Sequence, residues 1–124
     1  MATGARGEAF IETQERTYPV LLTNRALAEA EKALGKSVLA IGQQAQRGDI
    51  SLNDTAELLR IGLEYGRREA KWGKDVVRSP LAFDILDEVG FQPVAMLLLT
   101  CLLEVLSYDR EKPGKGEDEE SPPA

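Results

Sequence analysis

The chain has 124 residues, 15 of them basic and 21 acidic, for a net charge of -6 and no histidine. That length suits one domain with one modest core. The missing histidine excludes Ser-His-Asp and Cys-His sites and any histidine metal ligand. The acidic balance argues against nucleic acid, whose phosphates repel such a chain unless its charges segregate.

Residues 1–7 are small and polar and read as a flexible N-terminus. No apolar stretch of signal-peptide type follows them, so a cytoplasmic setting is expected. Residues 8–23 read as a β-hairpin. The first strand has a weak period of two, Gln14-Glu15-Arg16 makes a polar break, and a run rich in β-branched and large residues follows from Thr17. Pro19 cannot donate to a strand ladder, which puts it at an edge or an outward position. A lone hairpin is marginal in water, so a helix or another chain must cover this one.

Helices are predicted from there on. Thr23-Asn24 caps a helix stopped by Gly35, with Leu27, Ala30 and Leu34 on one face. Ser37 caps a second, stopped by Gly48, in which Gly42 is a weak or close-packing point. Ser51 opens a longer helix to about Arg68 in the manner of a capping box, with Asp54 in place of the usual Glu. This helix carries Leu52, Leu58, Leu59, Ile61, Leu63 and Tyr65. Residues 69–78 form a basic loop whose one large apolar group is Trp72. Ser79 and Pro80 restart the helix, with Leu81, Ile85, Leu86 and Val89 on its buried face and Gly90 as its stop. Pro93 begins the last helix.

That last helix is the least polar stretch of the chain. Residues 94–106 hold only Thr100 and Glu104 as clearly polar groups. The run falls short of the roughly 20 apolar residues of a membrane span, so no membrane partner is expected. Its apolar residues go most of the way round the helix, more than one small domain covers easily. Glu104 marks its exposed side or pairs with a partner chain. Residues 109–124 are rich in Pro, Gly and acid, cannot offset their ordering entropy by burial, and read as a disordered acidic tail. The expected architecture is mainly α, within an α+β frame: one domain over residues 8–108, a hairpin followed by about five helices.

No catalytic, cofactor or metal site is expected. Asp84, Asp87 and Glu88 share a helix face but read as solvated. Gly62-Leu63-Glu64-Tyr65-Gly66 lacks the lysine of a phosphate loop. Cys101 among leucines reads as a small core residue. Tyr65 and Trp72 read as packing groups. The residues alone therefore describe an interaction protein with spare apolar surface.

The order of parts carries a resemblance. The segment ALAEAEKALGKSVLAI, followed by Gly48-Asp49 and by LLRIGL, and a last helix pair split at Val89-Gly90, resembles a family of small tail proteins of gene transfer agents and siphophages, similar to phage tail assembly chaperones. The resemblance spans residues 7–106. It implies a non-enzymatic chaperone that coats a tape-measure-like helical protein in the cytoplasm of the bacterial host before the tube forms around it. A self-associating chain and an apolar groove between the last helix and a central one are then expected. Leu98, Leu102, Val105, Leu59 and Leu63 are its candidate partner-binding residues. The alternatives are a structural component of the tail, or a small helical DNA-binding regulator using Arg60, Arg67 and Arg68; a small enzyme fits least.

Overall fold

A computed structural model describes residues 5–110. The expected disordered tail lies outside the described residues from position 111 on, and the expected flexible N-terminus from position 1 to 4. The described part is a hairpin followed by five helices, as the sequence predicts.

Strands β1 (Arg6–Glu12) and β2 (Thr17–Thr23) pair antiparallel, with Gly7 opposite Leu22 and Ile11 opposite Tyr18. The turn is closed by Thr13, whose N–H donates to the Arg16 carbonyl at 2.9 Å and whose hydroxyl donates to the same oxygen at 2.8 Å. Arg6 and Gly7, expected in a flexible N-terminus, belong to β1. Alternation gives the sheet an inner face of Gly7, Ala9, Ile11, Tyr18, Val20 and Leu22. Its Ile11, Val20 and Leu22 are buried. The opposite face presents Glu8, Phe10 and Glu12 to solvent.

Five helices follow: α1 (Asn24–Leu34), α2 (Val38–Arg47), α3 (Leu52–Ala70), α4 (Ser79–Val89) and α5 (Phe91–Leu106). The predicted caps form. The Thr23, Ser37 and Ser51 hydroxyls accept the N–H groups of Ala26, Ala40 and Asp54, and Gly35 and Gly48 end α1 and α2. Asp54 does not complete a capping box in the usual way; its carboxylate binds the Lys36 ammonium at 2.7 Å. Three boundaries differ from expectation. With no glycine between Gly66 and Gly73, α3 runs on to Ala70 and ends at Lys71 in the left-handed conformation, φ 54°. Ser79 is the first residue of α4 rather than its cap. Finally, α5 starts at Phe91, two residues before Pro93, because Gly90 alone turns the chain through 114° at φ 107°. A residue with a Cβ is strained at that angle.

The inner face of the hairpin carries α3 over β2 and α5 over β1. A Cβ at Gly62 would press on the Val20 Cγ1 at 2.9 Å, and one at Gly66 would overlap the Pro19 carbonyl. At Gly7 a Cβ would overlap the Cys101 carbonyl. Backbone thus meets backbone on both sides. The order of these contacts makes α3 antiparallel to β2. With Gln14 beside Glu88, it also makes α5 antiparallel to β1. Helix α2 closes the far side of α5, where Gly42 faces Leu102. Leu52, expected among the apolar residues of the third helix, is 52% exposed at its first position.

Gly66→Ala is expected to destabilise the fold by about 2–4 kcal/mol, since the added methyl displaces β2. Gly42→Ala meets only a flexible leucine methyl at 3.3 Å and gains helix propensity, so its cost should be under about 1 kcal/mol. Urea unfolding of both variants checks the contrast.

Candidate functional site

The five residues expected to line an open groove are Leu59, Leu63, Leu98, Leu102 and Val105. The structure brings them into one cluster, but that cluster is the core, and none is more than 4% exposed. They hold α3 and α5 against the hairpin and present no groove in the single chain. The spare apolar surface of α5 lies on its outer side. Met96 is 50% and Leu103 46% exposed; Leu106, the last residue of the helix, is exposed to one side of them, and Tyr108 just beyond the helix end. At about 100° per residue, Gln92, Met96, Thr100, Leu103 and Ser107 fall on one stripe. Thr100 turns its hydroxyl onto the Met96 carbonyl at 3.0 Å and so offers less polarity to the surface. The sequence signal was present: Gln92, Thr100 and Ser107 mark the outward direction, and Met96 and Leu103 share it.

A second surface lies at the other end of the molecule. Residues 71–78 fold back over the hairpin turn and leave a cleft of about 740 Å³ lined by Arg16, Arg67, Lys74 and Arg78 with Tyr18 and Trp72. One carboxylate, Asp75, also lines it. The Tyr18 and Trp72 rings meet edge to face at 5.4 Å, and the Arg16 guanidinium sits 4.7 Å from the Trp72 ring centre. The loop is held by Glu64, which is 5% exposed. Its carboxylate accepts from the Arg67 guanidinium at 2.7 Å, from Arg68 at 2.7 Å and from the Val77 N–H at 2.8 Å. The Arg67 bond, above all, holds the Glu64 carboxyl down at about 2 against the opposing effect of burial, with help from Val77 and Arg68. Nothing in the sequence set Glu64 apart from the solvated glutamates around it; its i,i+3 and i,i+4 arginines were the available signal.

The family described as "Phage tail tube protein, GTA-gp10" matches residues 6–103. The chain belongs to this family. The match spans nearly all the described residues, from the first residue of β1 into the last turn of α5, and agrees with the resemblance seen in the sequence. No curated protein and no solved structure matches the chain significantly.

Other groups of this tail-family protein are bound into the fold. Cys101 is 1% exposed, and burial pushes its thiol up to about 11, with Glu104 and Glu8 adding to the effect. It is therefore a poor nucleophile. The Tyr65 hydroxyl donates to Glu29 at 2.7 Å and ties α3 to α1. Arg60 binds Glu57 at 2.7 Å, so each arginine of the DNA-binding alternative, Arg60, Arg67 and Arg68, already has a carboxylate partner. Asp84, Asp87 and Glu88 are exposed, and Glu88 accepts the Gln14 N–H at 2.6 Å. Among the described residues no acidic or sulfur group is arranged to hold a metal, and no single helix is long and apolar enough to cross a membrane.

The Glu64 carboxyl sits below the ordinary value of 4.5 in the folded chain. Its contribution is complete above the unfolded value and is lost as pH falls from about 5 toward 2. Arg68 is half-exposed, and screening there reduces the total to on the order of 2 kcal/mol. Glu64→Gln should therefore destabilise the chain most near pH 6, and its unfolding curve should converge on that of the parent as pH approaches 2. Urea titrations across that range read the difference directly.

Proposed function

We propose that this protein acts in tail assembly as a non-enzymatic chaperone, in the cytoplasm of the bacterial host, that covers an amphipathic helix of a tape-measure-like protein. The observation that carries the proposal is the outer stripe of α5 in a member of a phage tail family. A long amphipathic helix exposes apolar surface that aggregates unless covered, and a helix laid along Met96, Leu103 and Leu106 would bury both surfaces at once. The core residues Leu98 and Leu102 position that stripe from beneath. The docking surface is thus the solvent side of α5, in place of the groove between α5 and α3 expected from the sequence.

A second reading has its own support. The family's description as a tail tube protein favours a structural component of the tail, with the same stripe joining it to its neighbours. Two measurements separate them. Co-expression with the tape-measure-like protein of the same gene cluster should keep that partner soluble and co-purify it, with this chain missing from purified particles. Met96→Lys with Leu103→Lys should abolish co-purification, a loss of at least about 30-fold in affinity at hot-spot magnitudes, while leaving the helical circular dichroism intact. If the partner is equally soluble alone and this chain is recovered stoichiometrically from particles, the structural reading replaces the chaperone.

A further inference from the structure

The cleft at the hairpin turn has no part in the stripe on α5. It concentrates positive charge in a chain of net charge -6, with Arg16, Arg67, Lys74 and Arg78 on its walls against the one carboxylate of Asp75. Arg67 is committed to Glu64, but Arg16, Lys74 and Arg78 are exposed. Three exposed cations beside an aromatic ring suit an extended acidic segment: the guanidiniums and the ammonium donate to carboxylates, and an apolar or prolyl face packs on the ring.

The sequence supplies such a segment. Beyond Arg110 it continues for 14 residues and contains Glu117-Asp118-Glu119-Glu120 followed two positions later by Pro122-Pro123. We infer that this acidic segment docks in the cleft of a second copy of the chain. Charge complementarity selects the segment, and reach selects the second copy. Because α5 runs antiparallel to β1, Arg110 leaves the domain at the end away from the turn. The 16 residues of α5 alone separate the two ends by about 24 Å. The acidic run Glu117 to Glu120 lies seven to ten residues past Arg110, a span of at most about 25 to 36 Å when fully extended. Docking on its own domain would hold the linker at about two thirds of full extension or more; docking on a neighbour leaves it slack. A donor arm and an acceptor cleft on every copy close as a reciprocal two-fold pair or continue as open chains and rings.

The test uses full-length chains in sedimentation velocity. It also uses the fluorescence of Trp72, which is the one tryptophan of the protein and lines the cleft. One variant neutralises the donor (Glu117→Gln, Asp118→Asn, Glu119→Gln, Glu120→Gln). The other reverses the acceptor (Lys74→Glu, Arg78→Glu), at exposed positions that leave Glu64 and Arg67 in place. The parent should self-associate with concentration, shift Trp72 emission as it does so, and weaken by about tenfold or more between 0.05 and 0.5 M NaCl. Each variant alone should be monomeric. Mixed, the donor-neutral chain still has its cleft and the acceptor-reversed chain still has its acid run, so the two should form a one-to-one complex. A parent that stays monomeric overturns the proposal, as does association that survives in both variants or fails to return on mixing. A Trp72 shift that depends on the acid run but not on concentration would mean docking within one chain. A shift produced by an added oligonucleotide, and unchanged in the donor-neutral variant, would assign the cleft to nucleic acid instead.

Discussion

Two strands do not stand alone in water, and everything else in this molecule follows from how its hairpin is covered. Two helices lie side by side on one face, and both come close enough for backbone to touch backbone. On the β2 side the approach depends on Gly62 and Gly66, four residues apart on one face of α3. On the β1 side it depends on Gly7, in the strand itself, against Cys101. Such contacts bring the sheet and both helices within full van der Waals reach, and Val20, Leu22, Leu59 and Leu98 fill the space between with almost no exposure. A hairpin covered along one face, with Leu21 alone buried on the other, is then enough to organise five helices.

The same arrangement decides which part of α5 is left over. The helix is apolar nearly all round, and its neighbours claim most of it: β1 at Cys101, α2 at Leu102, α3 across the shared core, and α4 and β2 to a smaller extent. What remains is a narrow outer strip whose apolar members are spaced at seven residues, Met96 and Leu103, with Leu106 to one side. A strip of that width fits a single helix better than a sheet edge or a broad flat surface. The expected groove residues failed as a surface for the same reason they succeed as a core: α3 and α5 meet through them.

Much of the fold could be read along the chain because it is written in local signals. Thr23, Ser37 and Ser51 cap, Gly35 and Gly48 stop, and the hairpin announces itself by its polar break. These act over three or four residues. The features that escaped notice are long-range. Gly7 is a strand residue because of Cys101, and Gly66 is a contact point because of Pro19. A run apolar nearly all round carries little directional information, so the last helix is easily found, and only the sparse polar markers Gln92, Thr100 and Ser107 orient it. The basic cleft was equally hidden. Arg16 lies far from Lys74 and Arg78 in sequence, and the chain's overall acidity masks a patch that only folding assembles.

That assembly rests on one carboxylate. Glu64 sits on the buried side of α3, where a lone charge would be costly, and three donors surround it. Two are arginines of its own helix; the third is the Val77 N–H, thirteen residues on, in the loop. The pairings satisfy the buried charge and at the same time fix Arg67 in the wall of the cleft and draw residues 71–78 back over the hairpin turn. Trp72 then meets Tyr18, and Arg16 stacks above it. An extended loop there would scatter its cations into solvent, where each is screened within about 10 Å. Folded back, the loop sets Lys74 and Arg78 across from Arg16, and their fields add over one opening. A molecule that is acidic overall therefore carries a basic end at the hairpin turn. Its apolar strip ends on the opposite side, where α5 runs out, so that charge and apolar surface are kept at separate ends of the molecule.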